Sequence, residues 1–465
     1  MRPLVMMLAS SLLASTAPEP AHDRFTRTFS FDRRGEAVAL IQAGCARCDW
    51  GEAGREAVAL RLTVDEAYSQ HLFLARGEGV AGYRVRLGTL EPGRHTLRIE
   101  RDAALSAAGA GPASIEVRDV TLVAAGTDDF AAQSMAPIIY ARPNTVGKFT
   151  DLPLFMWYEV APTARGRQYR YSVIFSNEDG GTQTDRLMAT WGRTTDIEYV
   201  YGVEVDPSGA VIAEEFQGPG HEVPAFKGQH QDRHPRLWVS TDNNMVSESG
   251  PTTMRYAPEA VRFDLTHVSR EEVMDAHPWM YAIASVEMRR EGKIENDPEP
   301  GHNAIADPRR FVYLEACGAV ANAAVAVSVG SRQSQSQSQS QSQSQSQSQS
   351  QSQSQSQSQS QSSVVWTASD RGRPEYRIVR DGCFRIATPL PAGTKPSDIR
   401  AIRVHAYDRP PARGGGPAAP GFVNLTRINK VFMLDEAYQP APSLLHWEGS
   451  APVPVGGAPF EVPVR

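Results

Sequence analysis

The chain has 465 residues, 41% of them hydrophobic, and its 47 basic and 53 acidic residues give a formal net charge of -6. This length predicts more than one domain, since a single hydrophobic core rarely grows beyond about 250–300 residues. The charges are mixed along the chain, so a nucleic-acid partner is not expected. The 37 glycines and 33 prolines, with few long helical periodicities, are typical of many short strands joined by turns.

The first 17 residues have the pattern of a cleavable signal peptide. Arg2 precedes a short apolar stretch at residues 4–14, and residues 15–17 supply small side chains for cleavage. The stretch is too short to span a bilayer, and no later segment reaches the roughly 20 apolar residues of a transmembrane helix. We therefore expect an exported protein, either secreted or periplasmic.

Residues 24–125 carry strand signals at regular spacing. Residues 57–64 run into a turn at 65–67, and residues 83–87 alternate apolar and polar side chains before a turn at 91–93. Strands with one apolar face predict a small antiparallel β-sandwich. Such modules in exported proteins often resemble carbohydrate-binding or other accessory domains, which is an analogy at the level of the fold.

Residues 135–460 predict a second, larger β-sandwich domain, so the expected fold class is all-β with two sandwich-like domains. A short helical insertion is expected where Ser269 and Glu272 form a capping-box pattern and Pro278 starts a second helix. Residues 333–362 are an uninterrupted Gln-Ser repeat without an apolar side chain, which predicts a disordered loop within this domain. The strands expected in the first part of the domain are 154–160, 169–175, 186–191 and 197–205.

Four cysteines in an exported chain predict disulfides. Cys45 and Cys48 lie in a Cys-x-x-Cys sequence, and Cys317 and Cys383 flank the Gln-Ser repeat. Four cysteines allow three complete pairings; we expect Cys45 with Cys48 and Cys317 with Cys383. A redox or zinc motif is the alternative for the Cys-x-x-Cys sequence, but neither the helix N-terminus nor the second ligand pair of such sites is visible in the sequence.

The densest polar cluster lies between residues 191 and 250. Asp196 and Glu198 are two residues apart, which places both side chains on one face of a strand. The alternative is that both carboxylates face solvent and pair with Arg193 or Arg186. Carboxylate oxygens and imidazole nitrogens together suit a divalent cation. The candidate metal ligands are Asp196, Glu198, His221 and His234.

The same span supplies the remaining candidate residues. Glu222 or Asp232 is a candidate general base that would act on a metal-bound water. The signatures of serine hydrolases, zinc proteases and phosphate- or dinucleotide-binding loops are absent from the sequence. The candidate ligand-binding residues, which follow an apolar strand, are Asp242, Asn243 and Asn244.

Residues 192–198, Gly-Arg-Thr-Thr-Asp-Ile-Glu, resemble a family motif. They are similar to the Gly-His-Arg-His-Asp-Trp-Glu heptapeptide of necrosis-inducing-protein-like β-sandwich proteins, and to the related heptapeptide of vacuolar-protein-sorting-associated β proteins. The glycine, Asp196 and Glu198 coincide, whereas Arg193 and Thr195 stand where the motif has histidines. The resemblance extends over about residues 135–250 and implies a sandwich with an acidic pocket that can hold a cation.

Two functional hypotheses follow from the sequence. As a binding protein, the chain would recognise a glycan or another extracellular or cell-surface ligand. As an enzyme, it would be a metal-assisted hydrolase whose acidic cleft around Asp196 and Glu198 holds a divalent cation.

Overall fold

The structure is a computed structural model, and it describes residues 21–178, 180–332, 364–409 and 420–464. The predicted signal peptide and the predicted Gln-Ser loop lie outside these residues. The described chain is mostly β, as expected, with 26 strands and four α-helices. Among these helices, none has the length and apolar content needed to cross a membrane.

The first eight strands form two four-stranded sheets around one core. They are β1 Ala21–His22, β2 Arg24–Phe31, β3 Gly35–Cys45, β4 Ala59–Val64, β5 Ala67–Phe73, β6 Ala81–Leu90, β7 Gly93–Arg101 and β8 Ala113–Leu122. The sheet orders are β1-β8-β3-β6 and β2-β7-β4-β5. Residues such as Ile41 and Leu97, both 0% exposed, pack between the sheets. The predicted Cys45–Cys48 disulfide is confirmed at the end of β3.

The next ten strands form a middle pair of sheets. They are β9 Ile138–Tyr140, β10 Pro153–Thr163, β11 Gly166–Phe175, β12 Asp196–Val205, β13 Val211–Phe216, β14 His230–Gln231, β15 His234–Val239, β16 Val246–Ser247, β17 Arg255–Tyr256 and β18 Ala260–Arg262. The sheet orders are β13-β12-β11-β10-β18 and β14-β15-β9-β17, with β16 beside β15. Tyr158, Tyr171 and Tyr201 belong to the core of this pair.

The last eight strands form a third pair of sheets around a separate core. They are β19 Phe311–Ala321, β20 Ala323–Arg332, β21 Val364–Ala368, β22 Gly382–Pro389, β23 Ile399–Asp408, β24 Phe422–Phe432, β25 Trp447–Pro452 and β26 Phe460–Pro463. The sheet orders are β22-β19-β24-β25 and β21-β20-β23-β26. The predicted Cys317–Cys383 disulfide is confirmed between facing positions of β19 and β22. The region predicted as one larger domain therefore contains four sheets, and a further buried cluster that includes Trp157, Tyr313 and Phe432 lies between the middle and the third pair. The domain division itself stays a prediction.

The helices connect the sheets. They are α1 Asp128–Met135, α2 Thr184–Trp191, α3 Glu272–Ala276 and α4 Trp279–Arg290. The last two confirm the predicted helical insertion, whereas the strand predicted at 186–191 is wrong because α2 occupies it. Leu187, Met188 and Ala189 are good helix formers, and Gly192 ends the helix with a left-handed backbone at φ 62°.

Candidate functional site

The candidate site lies at the start of β12. Asp196 and Glu198 are the first and third residues of this strand, so both project from one face, as predicted. They are only 2% and 8% exposed, and the charge of Glu198 acts directly on the Asp196 carboxyl. The alternative in which both carboxylates face solvent is therefore wrong.

Asn244 holds the inner side of this pair. Its Nδ2 donates to Asp196 Oδ2 at 3.1 Å and to Asp151 Oδ1 at 3.3 Å. The same amide nitrogen lies 3.1 Å from the backbone oxygen of Asn177. Asn244 is fully buried, so the structure brings one of the predicted ligand-binding residues directly against the acidic pair.

Gln217 holds the outer side of the pair. Its Nε2 donates to Glu198 Oε2 and also lies 3.4 Å from Nδ1 of His221. His221 is exposed, so it is linked to the pair through Gln217. The side chains of His221 and Glu198, which were predicted to bind one cation together, are linked through Gln217 and form no direct hydrogen bond among the described residues.

Two arginines set the charge around the pair. Arg193 Nε lies 3.1 Å from Glu271 Oε1, with both side chains buried, and its guanidinium also donates to the backbone oxygen of Thr195. Arg270 Nη1 lies 3.3 Å from the backbone oxygen of Ile197. Each arginine is thus bound within the wall of the cleft, where it acts on the carboxyl pair by its charge.

Burial and mutual repulsion favour protonation of the pair. Burial raises the pKa of Asp196 well above its ordinary value, and the nearby charges of Glu198 and Glu178 raise it further. Burial also raises the pKa of Glu198, although the charges of Arg270 and Arg193 oppose this. Burial and the neighbouring negative charges thus favour the protonated form of Asp196 over its ionised form.

His234 must be removed from the predicted metal-ligand set. Its Nδ1 lies 3.0 Å from Arg86 Nη1, and its Nε2 lies 3.4 Å from Glu36 Oε1. Arg86 lies in β6 and Glu36 lies in β3, so both partners belong to the first pair of sheets. β15 therefore places His234 at the contact between the first and the middle pair of sheets. The four predicted ligands are therefore not brought together, and the donor set does not fit the divalent cation predicted from the sequence.

The other candidate residues lie towards solvent. Glu222 and Asp232 are exposed, and Asp232 Oδ1 is 3.9 Å from Arg34 Nη2. Asp242 is exposed and ion-paired with Arg142. Asn243 Oδ1 accepts a hydrogen bond of 2.8 Å from Thr241 Oγ1.

A different group of acids meets the spacing needed for a metal. Within the described ranges, the converging set is Glu272, Asp275 and Glu315. Lys430 Nζ lies 2.8 Å from Asp275 Oδ2, and Arg385 Nη2 lies 2.8 Å from Glu315 Oε2. These cations already compensate the carboxylates, so the group is a structural ion-pair network rather than a metal site.

Several residues of the site were missed by the sequence analysis. Glu178 and Gln217 lie outside the strands and helices, and residues 177–181 have the composition of an ordinary turn. Asp151 is fixed by Arg142, whose Nη2 lies 2.7 Å from its Oδ2. No sequence pattern marked these positions, because long-range folding alone brings them to β12.

Comparisons with known proteins assign no family to this chain. No protein-family model and no curated protein matches the chain. A family 35 carbohydrate-binding module from an environmental isolate is 14% identical, with 25% of this chain and 87% of that chain covered and a TM-score of 0.15. A GH2 beta-galacturonidase from Eisenbergiella tayi bound to glycerol is 12% identical, with 46% and 29% covered and a TM-score of 0.14. Scores this low support no conclusion about function.

Proposed function

We propose that this is an exported protein that binds a neutral glycan in the cleft around Asp196 and Glu198. The observation that carries the proposal is the arrangement of donors and acceptors: carboxyl oxygens lie directly beside the amide groups of Asn244 and Gln217. A sugar hydroxyl both donates and accepts, so it needs both kinds of group close together. The two disulfides suit a protein that folds in an oxidising compartment.

The charge of the cleft supports a neutral ligand over a cation. The charge of Arg193 opposes the rise in pKa that burial causes in both carboxyls, and the charge of Arg270 opposes it in Glu198. A divalent cation would have to bind carboxyl groups whose protonated forms are favoured by burial, and it would have to approach these two arginines. A polyol can replace water in the cleft without changing its charge.

The rigidity of the cleft supports binding as well. Asn244 is held from behind by Asp151 and by the backbone of Asn177, and the Asp151 carboxylate is ion-paired with buried Arg142. A polar side chain that is already ordered loses less entropy when it binds a ligand.

Binding is favoured over hydrolysis by the spacing of the two carboxyls. The carboxyl groups of glycosidases are generally about 5 Å or more apart, which leaves room for the sugar or for a water. Asp196 and Glu198 are two residues apart on one face of β12 and are both buried, so they do not face each other from opposite sides of a gap that could hold a glycosidic bond. The metal-assisted hydrolase stays a prediction that the separated position of His234 does not favour.

The first prediction concerns a double variant, Asp196→Asn with Glu198→Gln. Both replacements keep the side-chain shape but remove the ionisable carboxyl groups, so we expect affinity for neutral oligosaccharides to fall about 10- to 100-fold. The measurement is isothermal titration calorimetry of the mature protein with the tightest-binding sugar from a panel of neutral oligosaccharides.

The matched control is Glu116→Gln with Glu91→Gln, which removes two carboxylates that are more than 40% exposed. It should bind as the wild type does. Equal losses in both variants, or a panel without a single binding oligosaccharide, would contradict the proposal. Release of new reducing ends from the bound sugar would show that the cleft is hydrolytic instead.

A further inference from the structure

A second cavity lies away from the acidic cleft, between the first pair of sheets, β10 and α4. Its volume is about 240 Å³. Apolar and aromatic side chains provide most of its wall, and those used below are Tyr83, Phe155 and Trp279. The cavity is therefore suited to a ligand with an apolar body.

One cation in this wall has no carboxylate partner. The guanidinium of Arg76 lies 4.7 Å from the centroid of the Trp279 ring, and its Nη1 donates to the backbone oxygen of Gly82 at 3.4 Å. Across the described residues, no acidic side chain pairs with it. Arg84, which also lines the cavity, is instead bound by Glu259, with Nη2 and Oε1 2.8 Å apart.

Two neutral hydrogen-bond donors stand near this cation. Burial and the charge of Arg76 lower the pKa of His277, so its imidazole is neutral at neutral pH. The same ring packs on Phe155, with 4.3 Å between centroids. Burial raises the pKa of Tyr83 to about 12, so its phenol stays protonated. An anion beside Arg76 would thus meet one positive charge and further donors.

We propose that this cavity binds a small aromatic carboxylic acid, with its ring against Phe155 and Trp279 and its carboxylate at Arg76. A cavity of about 150 Å³ lined by aliphatic and aromatic groups holds benzene. The 240 Å³ found here leaves room for one ring and a short acidic side chain. The inference is independent of the glycan proposal, because none of its residues belongs to the cleft at β12.

The charge of Arg76 makes the proposal testable with two probes of the same shape, phenylacetate and phenylacetamide. The wild-type protein should bind the acid about tenfold more tightly than the amide, because only the acid gains a charge-assisted hydrogen bond. Arg76→Gln should abolish this preference and Arg76→Lys should retain most of it. The affinities are measured on the mature protein by ligand-observed NMR titration.

The control is Arg118→Gln, which removes an arginine that is 61% exposed and does not line the cavity. It should keep the wild-type preference for the acid. Equal affinity of the wild type for acid and amide, or no binding of either, would overturn the proposal. Tighter binding of glucuronate than of phenylacetate would also overturn it, since the cavity would then be a polar sugar site.

Discussion

Replacing Arg385 by alanine is expected to lower the free energy of unfolding by about 3–5 kcal/mol, because the buried carboxylate of Glu315 loses its charged partner and Asp275 keeps Lys430 as its remaining cationic partner. Arg385 is 1% exposed, and its Nη2 lies 2.6 Å from Asp275 Oδ2 and 2.8 Å from Glu315 Oε2. Asp275 belongs to α3 and Glu315 to β19, so this arginine also joins the helical insertion to the third pair of sheets.

The effect is measured by urea denaturation, with the variant Arg427→Ala as control. Arg427 Nε lies 3.2 Å from Glu448 Oε1, and the two side chains are 37% and 75% exposed. Loss of such a surface pair costs at most about 1 kcal/mol. Similar shifts of the transition midpoint in both variants, with unchanged slopes, would mean that the buried network contributes no more than a surface contact.

The stability of the protein is expected to fall as the pH rises towards 7, because of Glu287 in α4. Burial raises the pKa of this carboxyl to about 7, and the charge of Glu291 contributes while Arg290 opposes. Since the folded pKa exceeds the unfolded one, the unfolded chain releases its proton first. The stability that protonated Glu287 contributes to the folded state is therefore complete below pH 4.5. It is lost as the pH rises through about 7, which lowers the free energy of unfolding by about 3 kcal/mol.

The variant Glu287→Gln removes this titration and still accepts the hydrogen bond of 2.8 Å from Trp50 Nε1. We expect it to match the wild type near pH 4.5 and to exceed its unfolding free energy by about 3 kcal/mol near pH 8. The control is Glu100→Gln, because a hydrogen bond from Arg98 lowers the pKa of Glu100 and its titration falls below this pH window. Parallel stability profiles for wild type and Glu287→Gln would contradict the assignment.

The sequence predicted the strands better than the short helix. Alternating side chains mark β6, because a strand at the surface of a sandwich has one face towards the core, whereas β12 is buried on both faces. The eight residues of α2 are too few for a helical period to stand out, and Trp191 at their end is as compatible with a strand. Gly192 also packs against Arg385 with no space for a side chain. This contact joins distant parts of the chain, so the sequence alone does not predict it.

The site was predictable where local geometry decided it. The two-residue spacing of Asp196 and Glu198 fixed their common face. Asn244, which was predicted to bind a ligand, lies beside Asp196. His234 was misplaced because sequence proximity does not determine which interface a strand enters. Gln217 was missed because it follows β13 without a distinguishing pattern, and only the folded chain brings it to Glu198.

The pairing of β20 with β21 has a genetic consequence. Arg332 and Val364 face each other across this pair, so the chain leaves and re-enters the sheet at adjacent positions. If replication slippage added or removed whole Gln-Ser units between these positions, every cross-strand pair from Ser328 to Arg332 would keep its partner. Alleles with different numbers of repeat units should therefore encode the same folded protein, and selection on the fold leaves the repeat number free to drift.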